Sequence, residues 1–128
     1  MSTNRKVKYG RTFTVELGPD EDVLRSVEAA VEENGVTDAV FLAGTGDLKN
    51  VRSHFAGKLD NGEYMDFPLD WDDAAFAVTG VQGFIEQGRV HLHAVIGNDE
   101  ECWTIHFHEG CTTLTGLRLV FSELSEEG

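Results

Sequence analysis

The sequence predicts an α+β fold: a largely antiparallel β-sheet with one main flanking helix. Two observations carry this. A single stretch places apolar residues at helical spacing, and the chain beyond it is a succession of short alternating or apolar runs broken by turn residues. At 128 residues the chain has the usual length of one domain and buries about two-thirds of its unfolded surface, enough for a core without metal or disulfide.

Taken in order, residues 1–11 are polar and basic (Arg5, Lys6, Lys8, Arg11) and are expected to be a flexible N-terminal segment. Residues 12–124 form the domain, and 125–128 a C-terminal tail. Thr12–Leu17 alternates and reads as a strand that Gly18-Pro19 stops. Asp20 is expected to cap a helix running to Asn34, with Glu21 and Asp22 at the positive end of its dipole. Val23, Leu24, Val27, Ala30 and Val31 make its apolar stripe, and Gly35 ends it.

Ala39–Ala43 is a short buried strand, after which Gly44-Thr45-Gly46-Asp47 is expected to turn. The glycine pair lacks the remainder of a nucleotide-binding loop, so a turn is the better reading. Strands at Val51–Ala56 and Glu63–Phe67 flank a hairpin turn at Asp60-Asn61-Gly62. Phe76–Ile85 follows, with Gly80 and Gly83 as candidate bulges. Val90–Ile96, Cys102–His108 and Thr113–Leu124 complete the set.

Four of the five histidines lie in His91-Leu92-His93 and His106-Phe107-His108. Spacing two on a strand aims each pair at one face, with Leu92 and Phe107 facing a core. Register decides whether the pairs meet. If Asn98–Glu101 is a four-residue loop, Gly97 sits opposite Cys102, so His93 faces His106 and His91 faces His108. Opposed Cβ atoms lie about 4.5–5.5 Å apart, and imidazoles there can reach one ion at about 2.0–2.1 Å. An odd loop would put the pairs on opposite faces. Clustered neutral imidazoles suit zinc, and also nickel, copper or iron(II). The competing reading is a pH switch or a hydrogen-bonded histidine network. His54 stands alone and reads as an ordinary surface histidine of a strand. Cys102 and Cys111 read as small buried residues. Cys102, about 13 Å along the strand from His106, is too far to share an ion with it.

With 23 acids against 10 bases, the formal charge is −13. That opposes docking on a phosphate backbone or an anionic membrane. Acids spread along a lysine-poor chain fit the surface of a protein working at very high salt; attraction of a basic partner is the alternative. No apolar run approaches a membrane span and no signal-peptide core opens the chain, so the expected location is the cytoplasm.

The run Arg89-Val90-His91-Leu92-His93-Ala94-Val95-Ile96, followed by His106-Phe107-His108-Glu109-Gly110-Cys111, resembles the PPC (plants and prokaryotes conserved) domain family, as do Gly44-Thr45-Gly46-Asp47-Leu48, the helix and the strand order. The resemblance spans about Thr12 to Leu124. It implies an α+β fold assembled as a homotrimer, with zinc, or another divalent transition metal, held in prokaryotic members by three histidines whose motif positions fall on His91, His93 and His106. His108 occupies a variable position; its role as additional ligand or supporting group rests on register alone. Plant members carry the domain beside A·T-binding hooks, of which this chain has no Gly-Arg-Pro core. A zinc-dependent acetolactate decarboxylase has a similar fold and three histidine ligands. Three functions therefore compete. The first is a trimeric metal-binding protein with room for a small molecule at the metal. The second is a zinc enzyme acting on small carbonyl compounds, with Glu109 as proton shuttle. The third is a DNA-associated regulator using a basic arm of Arg5, Lys6, Lys8 and Arg11.

Three such chains would carry −39, three times −13. At molar salt the screening length shrinks to about 3 Å and removes most of that repulsion. Thermal stability and trimer content, followed by melting and light scattering at constant metal, should both rise with chloride up to molar levels. A flat or falling response would refute the high-salt reading of the surface.

Overall fold

The apolar stripe folds into helix α1 (Val23–Asn34), burying Val23, Val27 and Val31. The computed structural model describes residues 1–127. Asp22, not Asp20, is the cap: its carboxylate accepts the Arg25 N–H at 3.0 Å. Asp20 cannot serve, because it sits at positive φ in a turn whose N–H donates to Thr113 O and whose carboxylate pairs with Lys49. Gly35 closes the helix in the left-handed conformation, and the N–H groups of Gly35 and Val36 return to Glu32 and Val31.

The described residues form eight strands: β1 (Val7–Leu17), β2 (Ala39–Leu48), β3 (Val51–Lys58), β4 (Tyr64–Trp71), β5 (Phe76–Glu86), β6 (Arg89–Gly97), β7 (Cys102–His106) and β8 (Leu117–Glu126). Six of them form one sheet in the order β1-β8-β2-β5-β6-β7, and β3 pairs with β4 in a second. Every pairing is antiparallel, so the α+β class with one flanking helix holds.

The expected boundaries shift at both ends. β1 begins at Val7, inside the segment expected to be loose, because its partner β8 continues to Glu126, inside the expected tail. Ion pairs Arg5–Glu126 and Arg11–Glu123 flank this ladder. β8 starts at Leu117 rather than Thr113; the residues before it form a loop tied down by Asp47, which accepts the N–H groups of Leu114, Thr115 and Gly116.

Gly44-Thr45-Gly46-Asp47 is not a turn. It continues β2, with Gly46 opposite both Val78 of β5 and Leu117 of β8. The glycines are there for close approach: a Cβ at Gly44 would lie 2.5 Å from Val81 Cγ2, and one at Gly46 2.3 Å from Gly116 O. The bulge expected in β5 falls between Val78 and Gly80. Gly83 is in register; it serves instead as a point of contact with β6.

The core lies between α1, on one side, and the inward faces of the strands, with Phe41, Phe76, Leu92, Ile96, Ile105, Phe107, Leu119 and Phe121 all buried. Cys111 is buried as expected, but Cys102 is exposed, since it opens an edge strand and alternates outward. The opposite face of β6 carries His91, His93 and Val95.

At Gly83 an added Cβ would fall 2.1 Å from the carbonyl oxygen of His91, at a φ of 152°. Gly83→Ala should therefore cost about 1–3 kcal/mol in denaturant unfolding and disturb the strand that carries His91. An unchanged midpoint would contradict this packing.

Candidate metal centre

The hairpin of β6 and β7 is built by an even loop. Asn98 N–H donates to Glu101 O, while the Asn98 side chain accepts the N–H groups of Glu100 and Glu101. Gly97 consequently stands opposite Cys102 and His93 opposite His106. Leu92, Ala94, Ile96 and Ile105 point to the core, leaving His91, His93 and His106 together on the other face. Their ring centroids are 4.7–4.9 Å apart, and one ring nitrogen from each lies within 4.8 Å of the others. His91 Nε2 and His93 Nε2 are 3.0 Å apart.

His108 departs from the expected ladder. β7 ends at His106; Phe107 N–H still reaches Leu92 O, but the chain then leaves β6. Instead of facing His91, the His108 ring stacks on His106 at 4.6 Å and its Nε2 lies 2.6 Å from Nδ1 of His54. What draws it away is the Glu109-Gly110-Cys111 turn. Gly110 adopts φ 104°, its N–H donates to Asp22, and the Cys111 thiol bonds to both the N–H and the C=O of Arg52. Burial pushes the Cys111 thiol pKa up, consistent with a structural thiol. Glu109 pairs with Arg25 on the helix, away from the histidine rings, which removes the geometric basis for the proton-shuttle role.

His54 is the residue that sequence reasoning missed. It is half-buried, not a solitary surface histidine, because β3 runs along the free edge of β7. Ser53, itself buried, accepts the His106 N–H at 2.9 Å and donates to His106 O at 2.8 Å. That docking sets His54 beside His106 and His108. Nothing local in Arg52-Ser53-His54-Phe55 signals it; the contact spans half the chain.

Electrostatics favours uncharged rings at His93, His106 and His108. Burial, then repulsion from His108, His93, His91 and His54, lowers the His106 pKa to about 4. Burial followed by His91 and His54 lowers that of His93, and burial followed by His54 lowers that of His108. Neutral imidazoles present the lone pairs that a cation such as zinc requires. A hollow bordered by Glu86, Arg89, His91 and His106 leaves one side of the cluster open.

One helix against an antiparallel sheet, with histidines gathered on an edge hairpin, defines a small α+β domain with a candidate metal centre. Residues 4–125 match the Plants and Prokaryotes Conserved domain, abbreviated PCC or PPC, and the chain belongs to this family. No curated protein sequence matches it. Among solved structures, a metal-containing protein of Archaeoglobus fulgidus superposes with a TM-score of 0.75 at 18% identity, covering 99% of this chain and 89% of that one. A plant- and prokaryote-conserved protein of Pyrococcus horikoshii gives 0.72 at 23% identity, covering 98% and 87%. A candidate DNA-binding protein of Bacteroides thetaiotaomicron gives 0.69 at 13%, covering 93% and 85%. Among the described residues, no helix is long and apolar enough to cross a membrane.

The lowered histidine pKa values make the metal-free protein acid-sensitive. The unfolded chain takes up protons near pH 6.5, whereas folded His106 does so only near pH 4. The contribution of these groups is therefore complete above about pH 6.5 and is lost as pH falls toward 4. Melting temperature in chelator should drop across that window. A replacement of His106 by Gln should flatten the drop; an identical profile would exclude His106 as its source.

Proposed function

We propose that this chain is a metal-binding protein of the PPC family that holds a divalent transition metal, zinc being the expected ion, on His91, His93 and His106, and that it works as a homotrimer. The observation supporting this most strongly is the convergence of three imidazoles, one nitrogen from each within 4.8 Å, on a hairpin whose register sets His93 opposite His106. Three nitrogen ligands leave a coordination position for water or a small oxygen ligand, whose acidity or polarisation the ion would raise. The Archaeoglobus neighbour, described as metal-containing, is consistent with the same chemistry. A trimer would cover the free sheet edges and screen the open histidine-bearing face.

The DNA-associated role rests on the description of the Bacteroides neighbour. Against it here stand the charge of −13 and the engagement of Arg5 and Arg11, two of the four bases of the supposed arm, with Glu126 and Glu123. The enzymatic role loses the proton shuttle expected of Glu109, which is turned to Arg25.

Elemental analysis after zinc loading and desalting should find about one ion per chain. His106→Ala should abolish retention, and His93→Ala should weaken the tightest binding by roughly tenfold or more in competition with a chelator. His54→Ala should leave that tightest affinity unchanged. Wild-type protein that retains no metal before or after loading would refute the proposal.

A further inference from the structure

The histidine cluster extends beyond the three residues of the proposed site. His54, His106 and His108 also bring one ring nitrogen each within 4.8 Å of one another. His54 and His108 centroids are 4.7 Å apart, His54 and His106 5.3 Å, and His106 stacks on His108 with 14° between the planes. All three are half-buried, whereas the first triad includes exposed His91.

This second triad is built rather than incidental. Ser53 fixes the backbone of His106 from both sides and sets the position of its neighbour His54. The His108 backbone is held by the turn that Gly110 and Cys111 anchor to Asp22 and Arg52, and His108 O accepts the Cys111 N–H. The first triad comes from one hairpin. The second is assembled from β3, the end of β7 and the turn after it, three segments brought together only by the tertiary fold.

We propose that His54, His106 and His108 form a second binding seat for a borderline divalent cation, such as zinc or cobalt(II), adjoining the first and sharing His106 with it. A tetrahedral ion with bonds of about 2.0–2.1 Å separates its nitrogen ligands by about 3.3 Å. The His54 Nδ1 to His108 Nε2 distance of 2.6 Å is that of a hydrogen bond between a protonated and an unprotonated ring nitrogen. Metal entry requires that the shared proton leave this contact, by transfer to the far nitrogen of its ring through solvent, and that the two rings separate by less than 1 Å, an adjustment on the order of a side-chain torsion. A neutral His106 has one lone pair and serves one ion at a time. The two seats therefore compete for it, and passage of an ion from one to the other exchanges His91 and His93 for His54 and His108 while His106 is kept. The inference goes beyond the proposed site and does not require that site to be the preferred one.

The test is a cobalt(II) and zinc titration of H91A/H93A beside the triple variant H54A/H91A/H93A, with H54A/H108A as the reciprocal control. H91A/H93A should bind about one ion per chain, with cobalt absorption of a nitrogen-ligated site, and adding H54A should weaken that binding roughly tenfold or more. H54A/H108A should retain the ion of the first seat. If H91A/H93A binds no better than the triple variant, the second seat does not exist. If H54A/H108A loses metal while H91A/H93A keeps it, the second seat stands and the proposed first site falls. Circular dichroism verifies folding, and H91Q/H93Q replaces the alanine pair if that pair unfolds.

Discussion

Ser53 joins the edge of the second sheet to the edge of the first. β7 is an edge strand, and its free N–H and C=O groups need partners once β3 lies against them. A regular ladder does not form there. Instead one buried hydroxyl accepts from the N–H and donates to the C=O of His106, standing in for a neighbouring strand. Because a hydroxyl both donates and accepts, the edge is satisfied at a single residue, and β3 can cross at that point without matching the pleat of β7. The placement of His54 beside His106 follows from it.

The Glu109-Gly110-Cys111 turn acts as a second fastening. Asp22 uses one carboxylate oxygen for the helix N-terminus and the other for Gly110, so the start of α1 and the end of the histidine segment are held by one group. A side chain at Gly110 would strike Arg52, whose own backbone is bonded to the Cys111 thiol. Helix, turn and β3 are thereby coupled, and the histidine cluster sits where the coupled parts meet.

Much of this was legible in the chain. The helical stripe, the Asp60-Asn61-Gly62 hairpin and the alternation of β6 follow from local periodicity and turn chemistry. The register of the histidine hairpin followed from counting its loop, because a period of two allows only even loops to unite the pairs. What was hidden depends on distant partners. Gly44 and Gly46 resemble a turn until β5 and β8 are seen pressing on them. Residues 7–11 look loose until β8 supplies the pairing, and 125–126 likewise. His54 could be placed only through Ser53, and His108 was misplaced because the turn after it bends the chain off the ladder.

The sheet order has a further consequence for anything joined to this domain. β1 and β8 lie side by side at one edge, with Val7 opposite Glu126, while His91, His93 and His106 belong to β6 and β7 at the other. Five strand spacings of about 4.8 Å separate the two edges. A partner, tag or tether leading away from Val7 or Glu126 would emerge from the same corner, where Arg5, Val7 and Glu126 border a hollow with Asp38 and Glu86. Because Val7 and Glu126 are paired neighbours, a linker joining β1 to β8 would span little distance, and an exposed hairpin loop could carry new ends.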